Sequence, residues 1–137
     1  MADNVRKPAL AVCYALLRDQ LPDDIVVLTD IDRKRPDRFV KISRVGGPRY
    51  NVVTDGPMLM VECWSTGSAE EMAMRVAAVF EQCPGRYIHY ENDRGESAQA
   101  FVSSYREVGG PVRHLDPDVL EQDRWTMTVR LGISSNV

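Results

Sequence analysis

Trp125-Thr126-Met127-Thr128-Val129-Arg130-Leu131-Gly132-Ile133 carries the clearest strand pattern in the chain. In an extended chain, side chains alternate between two faces, so Trp125, Met127, Val129, Leu131 and Ile133 share one face and Thr126, Thr128, Arg130 and Gly132 the other. No helical spacing competes with that alternation. Each of the large apolar side chains contributes about 1.5–3 kcal/mol on burial, an upper figure because unfolded chains already hide part of that surface. The stretch is expected to anchor a sheet-based core, and nothing in it is suited to catalysis.

Working outward, residues 58–64 form the next strong strand, with Leu59, Val61 and Cys63 on one face and Met58, Met60 and Trp64 on the other. Glu62 interrupts the second face and is expected to reach an edge or a cationic partner. Residues 39–45 read as a strand closing at Gly46-Gly47-Pro48, and residues 101–108 as one closing at Gly109-Gly110-Pro111. The short apolar run 25–28 suits a central strand. Tyr50 to Val53 adds at most a short extended piece, and Thr54-Asp55-Gly56-Pro57 is turn chemistry. Residues 85–99, with Tyr87, His89 and Tyr90 before a polar loop, give no clear period.

Two helices complete the pattern. Ala9, Val12, Cys13, Leu16 and Leu17 make one apolar stripe over residues 6–20, with Pro8 tolerated in the first turn. Ala69, Met72, Ala73, Val76 and Phe80 make the other, opened by a Ser68/Glu71 capping box and stopped at Cys83-Pro84-Gly85. The fold class expected is α+β: a mainly antiparallel or mixed sheet of four to five strands with two main helices packed against it.

At 137 residues the chain fits one domain, residues 1–137, and its 44% apolar and 27% charged composition is ordinary for a globular protein. No apolar run reaches the roughly 18 residues of a membrane span, and no signal-peptide core opens the sequence, so a chain kept in a reducing cytosol is expected. Cys13, Cys63 and Cys83 are odd in number and lack zinc-ligand spacing, which reads as buried thiols. A net charge of −3 argues against a surface that grips nucleic acid throughout. Local basicity is confined to Arg33, Lys34, Arg35 and Arg38, read first as a solvated turn answered by Asp30, Asp32 and Asp37. Asp116-Pro117-Asp118 is explained by turn formation, without the spacing of a calcium loop. No catalytic set, metal site or cofactor loop is expected.

The order of these segments resembles a known family. An N-terminal helix precedes Arg38-Phe39-Val40-Lys41-Ile42-Ser43-Arg44-Val45-Gly46-Gly47. The strand at 58–64 runs straight into the helix from Ser68. The chain closes with Gly109-Gly110-Pro111, Asp116-Pro117-Asp118 and Arg124-Trp125-Thr126-Met127-Thr128-Val129-Arg130-Leu131. Together they resemble the tail terminator proteins of long-tailed, non-contractile bacteriophages, especially those of actinobacteria.

That resemblance implies a structural virion protein, not an enzyme, made in the host cytoplasm and placed at the head–tail junction. Its subunits would form a homohexameric ring that caps the tail tube, stops tube polymerisation and meets the head-side connector or stopper protein. The matching positions are Arg44, Gly46 and Gly47 at the turn and Asp116, Arg124 and Trp125 near the end, with roles in shape and intersubunit contact. The cluster of Arg33, Lys34, Arg35 and Arg38 would then face an acidic partner or genomic DNA in the lumen. Alternatives are another head-completion or stopper protein, a small oligomeric enzyme or ligand-binding domain using Glu62, His89 or His114 between subunits, and a nucleic-acid-binding module.

Overall fold

The computed structural model describes residues 4–31 and 34–135. In chain order the elements are α1 (Ala9–Gln20), β1 (Val26–Leu28), β2 (Arg38–Arg44), β3 (Thr54–Asp55), β4 (Met58–Ser65), α2 (Glu70–Glu81), β5 (Arg86–Glu91), β6 (Ser97–Arg113) and β7 (Asp123–Ser134). The fold is α+β, and its mixed sheet has seven strands, more than the four to five expected from sequence. The sheet runs β1-β2-β4-β7-β6-β5, with β3 paired to β7. All pairings are antiparallel except β1 with β2.

The anchor stretch is the centre of this sheet. β7 pairs with β4 over Asp123 to Arg130 and with β6 over Trp125 to Ile133, and its far end also holds β3. Met127, Val129, Leu131 and Ile133 are buried on the face that meets α1 and α2, together with Leu59, Val61 and Cys63 of β4 and Val40 and Ile42 of β2. Both helical stripes are wholly buried there. A second, smaller core on the opposite face stacks Phe39 on Trp64, ring centroids 5.7 Å apart, with Val119 against them.

Several local expectations are corrected. The run 25–28 forms an edge strand: Ile25 and Val27 are buried, but Val26 is exposed and β1 has a neighbour on one side only. Thr54-Asp55 is a two-residue strand, and the turn falls before it at Val52-Val53, within the stretch expected to be extended. β5 arises in the stretch without a clear period, because only Ile88 and Tyr90 of its six residues are buried. β6 does not stop at Gly109-Gly110-Pro111 but continues to Arg113 through register shifts at Val102/Ser104, Glu107/Gly109 and Gly109/Val112. Pro111 is accommodated because it lies in the register shift between Gly109 and Val112, where it is not matched to a residue of β7.

The capping box at α2 does not form either. Ser68 Oγ accepts from the Glu70 amide at 3.3 Å, while the Ala69 amide donates to Asp123 Oδ2 at 2.9 Å. The helix is capped from β7.

Candidate functional site

The residues that carry the sequence expectations fall into three places, of which the second and third adjoin. The first is the connection from β2 to β4. Arg44 leaves the end of β2 and forks onto Asp55, donating from Nη1 to Oδ2 at 2.9 Å and from Nη2 to Oδ1 at 3.1 Å. It also donates to the Gly46 and Gly47 carbonyls at 3.2 and 3.3 Å. Asp55 is fully buried, and it further accepts the Gly56 amide at 2.9 Å and faces Arg6 at 3.5 Å. A buried carboxylate is tolerable only when charge and hydrogen bonds answer it.

Both glycines have positive φ, 104° at Gly46 and 95° at Gly47. A Cβ on Gly47 would lie 2.1 Å from the Gly56 carbonyl oxygen and 2.6 Å from the Met58 amide nitrogen. Arg130 closes the arrangement from β7, donating to the Gly56 and Pro48 carbonyls at 3.0 and 2.7 Å while its guanidinium lies over Tyr50. Arg44, Gly46 and Gly47 therefore shape a turn clamped to the central strand.

The second place is the outer face of β2, β4 and β7. Arg124 donates from Nε and Nη2 to Glu62 Oε1 at 3.1 and 2.8 Å, and Lys41 approaches Oε2 at 3.6 Å. Glu62 thus has a cation at each oxygen, as its position against apolar neighbours demands. Arg124 also lies over the Trp64 ring, 5.2 Å from its centroid. Arg35 lies over the same ring at 4.7 Å. The proposed basic cluster is divided by these contacts. Arg35 is tucked against Trp64, Arg38 pairs with Asp24, Lys34 is exposed, and Arg33 lies outside the described residues.

The third place is the connection between β6 and β7. Asp116 Oδ1 accepts the Asp118 amide at 2.9 Å and its carbonyl accepts from Val119, which is the turn the sequence suggests. Val119 then packs on Phe39 and Trp64, and Gln122 donates to the Pro36 carbonyl, so this connection is held over the outer face. Asp123 gathers donors from Ala69, Arg113 and Trp125 at 2.9, 2.8 and 3.2 Å. Burial alone would raise its pKa, but these hydrogen bonds and the Arg113 charge hold it below the ordinary carboxylate value.

Among the described residues, Glu62, His89 and His114 lie apart from one another. Glu62 is engaged by Arg124 and Lys41. His89 stands opposite Gln99 at the start of β6, and His114 follows the other end of that 17-residue strand. Among the described residues no three His, Cys, Asp or Glu side chains could hold a metal ion. Cys13, Cys63 and Cys83 are buried free thiols, and burial pushes Cys63 up to about 12 and Cys83 to about 11. No helix among the described residues is long and apolar enough to cross a membrane.

The surface that sequence reasoning missed is the outer half of β6. β5 covers it only as far as Val102, and no strand among the described residues pairs with 103–113 on that side. Val108 and Val112 on this segment are 47% and 56% exposed, and Leu115 and Leu120 just beyond it are 47% and 79% exposed. The reading of a strand ending at Val108 hid them; the apolar Val112 beyond Pro111 was the available signal. No protein family matches the chain, and no curated protein matches it.

Proposed function

We propose that this chain is a structural ring subunit of the tail-terminator type, which caps the tube of a long non-contractile phage tail, stops its growth and presents the capped end to the head-side connector. The observation that carries the reading is β6. A 17-residue strand is left uncovered over residues 103–113 and ends in a group of exposed aliphatic side chains. Open strand edges are features of chains that are completed by other chains. The segment order described above supplies the family, and β6 supplies a means of association.

The clamped turn at Arg44, Gly46, Gly47 and Asp55 fits a subunit whose loops must hold a fixed shape, since a ring closes only when each contact repeats at the same angle. The division of the basic cluster leaves exposed Lys34 as its cation most available to a partner among the described members.

The test is tube growth. Adding the purified chain to polymerising tail-tube protein should halt the rise in light scattering early and leave short tubes that carry the chain in stoichiometric amounts per end. Tubes that reach their usual length, with no chain sedimenting alongside them, would overturn the reading.

A further inference from the structure

Among the described residues, three of the open edges of the sheet are protected very differently. β1 offers only three residues. β6 beyond β5 is interrupted by register shifts and Pro111, which leaves one regular stretch, residues 104–107 opposite 129–132. Bulges, proline and brevity are the usual means by which an edge is kept from pairing with another chain. β5 has none of these three, being six residues without proline, glycine or register shift, and α1 runs alongside it.

Beside that edge runs a groove of about 840 Å3, in which Leu10, Ala11, Tyr14 and Ala15 of α1 face His89 and Tyr90 of β5. An edge strand next to an apolar, helix-lined groove is the arrangement that receives an added strand, with backbone bonds giving affinity and the groove taking side chains.

Charge points to the occupant. Glu91 lines the groove, Asp93 lines the neighbouring cavity that Glu91 shares, and neither is in an ion pair among the described residues. On β6, Arg106 stands directly opposite Arg130 in its own sheet, a like-charge pairing, and has no carboxylate partner among the described residues. The unanswered cation thus lies on the one regular stretch of the uncovered β6 edge, two residues from exposed Val108.

We propose that residues 104–107 of one copy add to the free edge of β5 in a second copy, with Val108 entering the groove beside α1 and Arg106 facing Glu91 and Asp93. Donor and acceptor are different patches of one chain, so the contact is head-to-tail and each copy is left with one of each to offer. The inference rests on the ring reading and names its subunit contact.

Sedimentation velocity of the full chain over a concentration series tests it. Arg106→Glu alone, and Glu91→Arg with Asp93→Arg, should each raise the concentration of half-assembly at least about tenfold, because like charges then meet. The combined triple variant should return to within about threefold of the unaltered chain, since the exchanged charges attract again. A separate arm places Arg106→Cys with Glu91→Cys, which should give disulfide-linked multimers under mild oxidation; the native thiols are buried and do not compete. This arm decides the matter if a charge-reversed variant fails to fold. Charge variants that assemble normally, a triple variant weaker than its parents, or rings whose paired cysteines stay unlinked would overturn the contact and leave the ring reading intact. An unaltered chain that remains monomeric throughout and also leaves tube ends bare would overturn both.

Discussion

Gly46 and Gly47 are neighbours with similar positive φ, yet their surroundings make very different demands. Around Gly46 there is open space, whereas a Cβ on Gly47 would strike the backbone of Gly56 and Met58. Gly47→Ala should therefore cost roughly 3 kcal/mol or more, from backbone strain and steric overlap together, while Gly46→Ala costs about 1 kcal/mol. Urea unfolding with an unchanged m-value measures both; equal losses at the two positions would contradict the argument. The need for glycine at this turn was legible from Gly46-Gly47-Pro48, but its partner was not. Asp55 looks in the sequence like one more turn residue, and only the return of the chain reveals it as the buried anchor of Arg44.

Among the elements, α2 shows how far a local pattern reaches. Its apolar stripe was readable, because Met72, Ala73, Val76 and Phe80 recur at helical spacing and all are buried. Its cap was not, because the acceptor, Asp123, comes from a strand 54 residues away. The same limit applies to β5 and to the outer half of β6, whose strand character depends on pairing with neighbours more than on alternation. Strand order was hidden for this reason too, while the anchor, β4 and β2 were visible because each buries a regular alternate set.

The cap gives a pH dependence with a definite sign. Asp123 binds its proton less tightly in the folded chain than in the unfolded one. Its contribution is thus fully present above the ordinary carboxylate pKa of about 3.9 and is lost as pH falls through the lower folded value. Asp123→Asn should lower stability by about 1–2 kcal/mol at neutral pH, in line with loss of a helix cap, and should flatten the acid side of the stability profile. Thermal unfolding from pH 7 downward measures this. Parallel acid losses in the two proteins would show that Asp123 is not the group responsible.

For the whole molecule, the arrangement of surfaces matters more than any single reactive group. Helices cover one face of the sheet, and the connection carrying Val119 covers part of the other. What remains open is the free edge of β5, the uncovered half of β6 and the aliphatic tip beyond it. Leu115 and Leu120 at that tip belong to neither core cluster. Replacing both with Ser should change folding stability by less than about 0.5 kcal/mol per site, as for exposed positions generally. It should weaken capture by tube ends about tenfold, the effect of removing a modest interface anchor. Paired unfolding and tube co-sedimentation measurements separate the two effects, and undiminished capture would remove the tip from the contact surface.

The most direct measurement of the central claim is electron microscopy of the purified chain, alone and mixed with preformed tail tubes. Hexameric rings are expected, seated at one end of each tube and absent from its sides. A chain that forms no rings and leaves both tube ends bare would contradict that claim.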